Sequence, residues 1–204
     1  MLGLDLMLWS AFALEERAGN RDRDRYRDLA WTAARDQGQL RVEGDFNYYE
    51  RMTQWIASGA FDADALTPGI QPETRLETFN GDAWRLARSL FLGGAAGDPD
   101  APGYGVALEY YAGRAYPKAL LWDWSGAQSD QAVFKGLIRS SDDHRRRATW
   151  AVAGAIGNRV VSFLDLYISS RSGGRLGMDL EPDRGRSARL SIRWLPSKTG
   201  GTPP

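Results

Sequence analysis

Residues 148–168 read ATWAVAGAIGNRVVSFLDLYI, a run almost long enough to cross a bilayer that nevertheless carries Asn158, Arg159 and Asp165. A bilayer core needs about 20 apolar residues in helical form. On an insertion scale the eight strongly apolar residues of the run (Val, Ile, Leu and Phe) contribute roughly 0.3–0.6 kcal/mol each, whereas Arg159 and Asp165 cost about 2.5–3.5 kcal/mol each. As a lone lipid-facing span the segment therefore inserts poorly. Its polar residues are not scattered, however. Ala151, Gly154, Asn158, Ser162, Asp165 and Ser169 recur at intervals of three and four, one narrow stripe of small and polar side chains on a helix otherwise covered by Val, Ile, Leu, Phe and Trp. Such a stripe lets a second backbone approach and hydrogen-bond across. The run reads as a helix packed along a polar seam, without enough further ionisable groups at the same depth for a proton or ion relay.

Arg159 lies off the stripe and needs its own partner if buried, because an unpaired internal charge costs several kcal/mol. The candidate is Asp5, the acid that interrupts the apolar N-terminal run MLGLDLMLWSAFAL. Asp5, Asn158, Arg159, Ser162 and Asp165 thus form a candidate polar seam, with the Leu2–Leu14 helix as the surface facing it.

Outward from this point the chain reads as mainly α. Helices are expected over Leu2–Arg17, Asp22–Gln37, a segment opened by Asp45 with a stop near Gly59, Gly81–Leu92 and Val106–Ala115 ahead of Pro117. From about residue 130 a helix can continue without a proline to about 170, near 60 Å at 1.5 Å per residue. Stretches 62–80 and 93–105 have loop composition and separate helices rather than domains. The period then changes. Leu176, Met178 and Leu180, the turn-rich EPDRGR, and Ala188, Leu190, Ile192 and Trp194 predict a β-hairpin. A lone hairpin is marginal in water, so it is expected to pack on the helices or join strands elsewhere. The organisation expected is a helical bundle over 1–171, a hairpin appendage over 172–196 and a disordered tail over 197–204.

Trp122-Asp123-Trp124 puts two indoles on one face if extended, which suggests an extended segment anchoring the helix that follows. Packing is the ordinary use of such residues; the sharper alternative is an aromatic ligand surface made by Trp122, Trp124, Tyr48 and Tyr49.

Composition limits function. With 26 basic and 26 acidic residues, no cationic excess is available for a nucleic-acid surface. Zero cysteines exclude disulfides, thiol catalysis and thiolate metal sites, and one histidine, His144 in a charged DDHRRR turn, excludes a multi-histidine metal site. There is no G-x-S-x-G elbow and no P-loop lysine in GGAAGDPDAPGYG. An all-carboxylate pair such as Asp123 with Asp165 has no spacing to recommend it. No catalytic residue, cofactor or metal is assigned, and a specific small-molecule ligand is not indicated.

The succession ETFNGDAWRLARSLF (77–91), YY-x3-AY (110–116), WDWSG (122–126) and SDDHRRRATWAVAGAIGNRVVSFLDLYISSR (141–171) resembles a family of envelope proteins in Gram-negative bacteria that is known as a domain of unknown function. The resemblance implies a signal peptide and a Pro/Gly-containing hydrophobic segment ahead of the equivalent of Leu2. It also implies an Asn-His-x2-Ser-x2-Asp pattern in the long helix. Asn158, Ser162 and Asp165 match; Arg159 stands where the family has His. No activity is carried over. The N-terminal run lacks the cationic start of a secretory signal, so an envelope location goes with a truncated gene start and a cytoplasmic one with the chain as it stands. The function expected is a non-enzymatic, membrane- or envelope-associated helical protein with a structural or protein-interaction role. Its partners would be a membrane or another envelope protein. The alternative is a soluble helical ligand-binding module.

Overall fold

The structure, a computed structural model, describes residues 2–93, 97–172, 174–182 and 188–196, with side chains described from 3 to 169. The described chain is mainly helical, with five α-helices: α1 (Leu2–Ala34), α2 (Phe46–Gln54), α3 (Phe79–Phe91), α4 (Tyr104–Arg114) and α5 (Gln128–Ser172), with a 3-10 turn at Lys118–Leu120. It divides into two compact units. Unit 1 is Met1–Glu16 with Arg145–Pro204, and unit 2 is Arg17–His144. The single helical domain expected over 1–171 runs through both.

α1 corrects the expectation of two helices broken between Arg17 and Asp22. Gly19-Asn20 looks like a stop, but Gly19 is buried within unit 2, and its carbonyl accepts a bond of 3.0 Å from the Ser141 hydroxyl on α5. A mid-helix glycine costs about 1 kcal/mol against alanine; close approach of the neighbouring helix offsets it here. The positions turned inward are Gly19, Asp22, Tyr26 and Ala30, at three- and four-residue spacing, so the amphipathic pattern passes through the glycine unchanged.

α2 begins behind the expected Asp45 cap, whereas α3 and α4 begin two residues before the expected Gly81 and Val106, α3 behind Thr78. Asp45 accepts from the Tyr48 N–H at 2.8 Å, and Thr78 from the Gly81 N–H at 3.2 Å. α2 ends at Gln54 rather than at Gly59, which lies in a loop with φ of 73°. Gly81 has a steric reason to lack a side chain, since a Cβ there would run into the Arg75 carbonyl.

Unit 2 holds two cores. One joins Tyr26 and Ala30 of α1, Tyr48, Tyr49 and Met52 of α2, Phe134 and Ile138 of α5, and Trp122 and Trp124. The other packs Ala83, Trp84 and Ala87 of α3 against Ala107 and Tyr111 of α4. The Trp122–Trp124 segment is extended, as its i, i+2 pattern predicts. The Asp123 N–H donates to Ala34 O, that of Trp124 to Ile56 O, and Trp122 O accepts from the Ser58 N–H.

α5 is longer than the expected 130–170, at 45 residues or about 68 Å. Beyond it the backbone of β1 (Gly174–Pro182) and β2 (Ala188–Pro196) is traced antiparallel, with Leu176 opposite Trp194 and Met178 opposite Ile192. The hairpin appendage expected over 172–196 has no support beyond this backbone pairing. The tail over 197–204 lies outside the described residues.

Candidate functional site

In unit 1 the start of α1 packs antiparallel on the end of α5. Buried on α5 are Ala148, Ala151, Ala155 and Asn158, with Ser162 and Asp165 half-buried beyond them. The seam thus passes through Ala155 rather than Gly154. An unbroken alternation of three and four residues requires this, and the stripe read from sequence interrupted it with two consecutive four-residue steps. Gly154 lies beside the seam, where a Cβ would sit 3.2 Å from Leu8 Cδ2.

Asp5 is the hub. Its Oδ1 accepts from Asn158 Nδ2 at 2.8 Å, and its Oδ2 lies 3.1 Å from Arg159 Nη2. Ser162 Oγ donates back to Asn158 O at 2.6 Å, four residues earlier. The pairing of Asp5 with Arg159 is therefore present, but its premise needs correction. The Arg159 side chain is 72% exposed and that of Asp5 18%, so the arginine reaches in from outside instead of being buried. Such a pair is worth at most about 1 kcal/mol in water. Toward unit 1's other end, Arg147 stands 3.9 Å from Glu15.

Around this polar seam the outward faces are apolar. Leu6, Met7, Trp9 and Leu14 on α1 are exposed, as are Trp150, Ile156, Val160, Phe163, Leu164, Leu166 and Tyr167 on α5. Trp150 is 76% exposed and Leu166 71%. Small side chains and Asn158 line the inside of α5, with Leu4, Asp5, Leu8 and Phe12 of α1 half-buried, while the large apolar side chains of α5 face outward, against the ordinary arrangement.

Unit 2 has the ordinary arrangement. Trp122, Trp124, Tyr48 and Tyr49 are between 0% and 2% exposed; Tyr48 packs edge-on against Tyr49, Tyr116 and Trp122, and Trp124 lies tilted against Phe134. Their rings fill the core, which corrects the aromatic ligand surface drawn from sequence. Burial pushes the Tyr48 phenol well above its usual range. An open cavity of about 340 Å³ does lie nearby, lined by Asp36, Ser58, Gly59, Arg75, Trp122 and Asp123 among others. Of the four aromatics only Trp122 borders it.

Polar groups inside unit 2 hold loops. Asn80, fully buried, donates to Ala60 O at 3.0 Å and Tyr116 O at 3.1 Å, and its Oδ1 accepts from the Tyr116 N–H at 2.9 Å. Arg35 is buried between the Val42 and Ala119 carbonyls and lies over the Trp31 ring. Glu73 accepts from the Ala60, Thr74 and Arg75 N–H groups and from the Arg75 guanidinium. Burial alone would raise this carboxyl; Arg75 and the backbone donors overcome it and hold it down at about 2. None of these residues was singled out from sequence. Loop-bridging side chains make no periodic pattern, so no spacing in the chain marks them.

His144 is 23% exposed, less solvated than its charged surroundings suggest, with Nε2 at 3.8 Å from Asp22 Oδ2. That oxygen accepts from the Ser140 hydroxyl at 2.6 Å. The serine is thus bonded to the carboxylate and not to the imidazole, the reverse of a nucleophile–base pair. Asp123 and Asp165 belong to different units. Among the described residues no group of three or more His, Cys, Asp or Glu is placed to hold a metal ion. No family model, curated protein or solved structure matches this chain.

Proposed function

We propose that the protein is a membrane- or envelope-associated helical component with a structural or protein-interaction role and no catalysis of its own. The observation that carries this reading is the exposed apolar face of unit 1. In water, exposing Leu6, Met7, Trp150, Ile156, Phe163 and Leu166 together has no compensating gain, since each fully buried apolar side chain is worth about 1.5–3 kcal/mol. In lipid, or under an apolar partner, the same faces are favourable and the internal Asp5–Asn158 bond is what a dry environment demands. Length and composition also allow α5 to cross a membrane.

The resemblance to Gram-negative envelope proteins points the same way, although Arg159 replaces the family's His. A terminal hairpin over 172–196, read from the alternation at Leu176–Leu180 and Ala188–Trp194, would suit strand pairing with another chain. The second reading, a soluble ligand-binding module, has the open cavity beside Arg75 and Asp123 in its favour. Membrane fractionation with and without a high-salt wash separates the two. Retention after the wash is expected; recovery as a fully soluble monomer would overturn the membrane reading.

A further inference from the structure

The exposed face of unit 1 is not uniformly apolar, and the order of residues along it carries information. Leu8 of α1 meets Gly154 of α5, so Trp9, one residue further along an antiparallel helix, stands about level with Ala153. Trp150 lies three residues from that level, roughly 4.5 Å along the axis. Both indoles are exposed, Trp9 by 49%. On one side of this pair lie Glu15 and Glu16 on α1 and Arg145, Arg146 and Arg147 on α5, with Arg147 3.9 Å from Glu15. On the other side the exposed large side chains of α5 are Ile156, Val160, Phe163, Leu164 and Leu166, up to Tyr167, with Arg159 the one charged residue exposed among them.

A charged ring, an aromatic belt and an apolar zone, in that order on two helices, is the sequence of environments met on entering a bilayer. Tryptophan and tyrosine concentrate at the headgroup boundary, and arginine stems reach outward from it to phosphate. From Trp150 to Tyr167 is 17 residues, about 26 Å of helix, against about 30 Å for a hydrocarbon core.

Resting on the membrane reading above, we propose that Trp9 and Trp150 mark one face of a lipid bilayer, that α5 crosses to Tyr167 at the other, and that Asp5 licenses the crossing by neutralising Arg159. Arg159 lies nine residues beyond Trp150, about 14 Å into the core. A lone arginine at that depth opposes insertion. Paired with Asp5 at 3.1 Å it forms a net-neutral group, and Asn158 satisfies the second carboxylate oxygen. Lipid acyl chains are the occupant because the order of zones follows depth on both helices. A protein partner would require apolar contact without regard to level.

The absence of native cysteine makes the test direct. Single cysteines at Glu16, Ile156 and Phe163 are introduced into the full chain and reconstituted in vesicles of phosphatidylcholine and phosphatidylglycerol, and a membrane-impermeant maleimide is added. Glu16→Cys is expected to react at the rate of a free thiol, while Ile156→Cys and Phe163→Cys react at least roughly tenfold more slowly until detergent is added. Equal reactivity at all three in vesicle-bound protein would overturn the placement and leave membrane association standing. Failure of the unsubstituted chain to bind vesicles would overturn both. Asp5→Asn is expected to lower the vesicle-bound fraction and Asp5→Asn with Arg159→Leu to restore it, with near-ultraviolet circular dichroism reporting that unit 2 stays folded. A double variant as poorly bound as Asp5→Asn would refute the licensing role.

Discussion

Units 1 and 2 share α1 and α5, to which unit 2 adds α2, α3 and α4, yet they place their large apolar side chains in opposite ways. In unit 2, Trp124, Tyr48, Tyr49 and Phe134 are hidden, and the buried polar groups Asn80 and Arg35 are bonded to backbone carbonyls. In unit 1 the buried positions are three alanines and Asn158, with Leu4, Asp5, Leu8 and Phe12 half-buried, while Trp150, Phe163 and Leu166 face outward. The difference teaches that helix periodicity alone does not say which face is wet. Both units keep the three- and four-residue spacing; only the identity of the residues on each face changes. On the reading proposed above, unit 2 is organised for water and unit 1 for a surrounding that does not compete for hydrogen bonds.

The contrast gives substitutions of unequal effect. Trp124→Ala in unit 2 removes a fully buried indole and is expected to destabilise by about 3–5 kcal/mol, read as a drop in the thermal or urea midpoint of unit 2. Trp150→Ala in unit 1 is expected to leave that midpoint unchanged and to weaken vesicle binding instead. Equal loss of stability from the two would break the comparison. Next in size, Asn80→Ala leaves the Tyr116 N–H and the Ala60 and Tyr116 carbonyls without their partner, at a cost of about 2–3 kcal/mol by chemical denaturation.

Glu73 sharpens the account of unit 2 through pH. Its folded carboxyl is held at about 2, below the ordinary value of 4.5, so its contribution is fully present above pH 4.5 and is lost as pH falls toward 2. The size is about 2 kcal/mol once the exposure of Arg75 is allowed for. Glu73→Gln should lose that amount at neutral pH and show a shallower decline between pH 4.5 and 2. An unchanged acid limb would refute the role. The smallest effect is expected from Asp5→Asn in detergent-free water, at or below about 1 kcal/mol, because Arg159 is largely exposed.

How far these features could be read from the chain follows from their physics. The mainly helical fold, the long α5, the Asp45 helix start, the extended Trp122–Trp124 segment and the Asp5–Arg159 pair were legible, because each leaves a local or periodic mark. The continuity of α1 was not. Gly19 reads as a stop unless the neighbouring helix that approaches it is known. The passage of the seam through Ala155 was missed because alanine and glycine look alike in a small-residue stripe. Burial of Tyr48, Tyr49, Trp122 and Trp124 depends on contacts between segments as far apart as α2 and α5, and aromatic residues carry no mark that separates a core from a ligand surface. Glu73 and Asn80 work through loops, where spacing is uninformative.

The central claim, that unit 1 is made for lipid and unit 2 for water, is tested most directly by vesicle flotation. The full chain is compared with a variant carrying Leu6→Ser, Ile156→Ser, Phe163→Ser and Leu166→Ser, with unit 2 checked by near-ultraviolet circular dichroism. The account predicts that the full chain floats with phosphatidylcholine and phosphatidylglycerol vesicles after a high-salt wash while the variant stays in the soluble fraction with unit 2 intact. Equal flotation of the two, or a full chain that remains soluble, would contradict it.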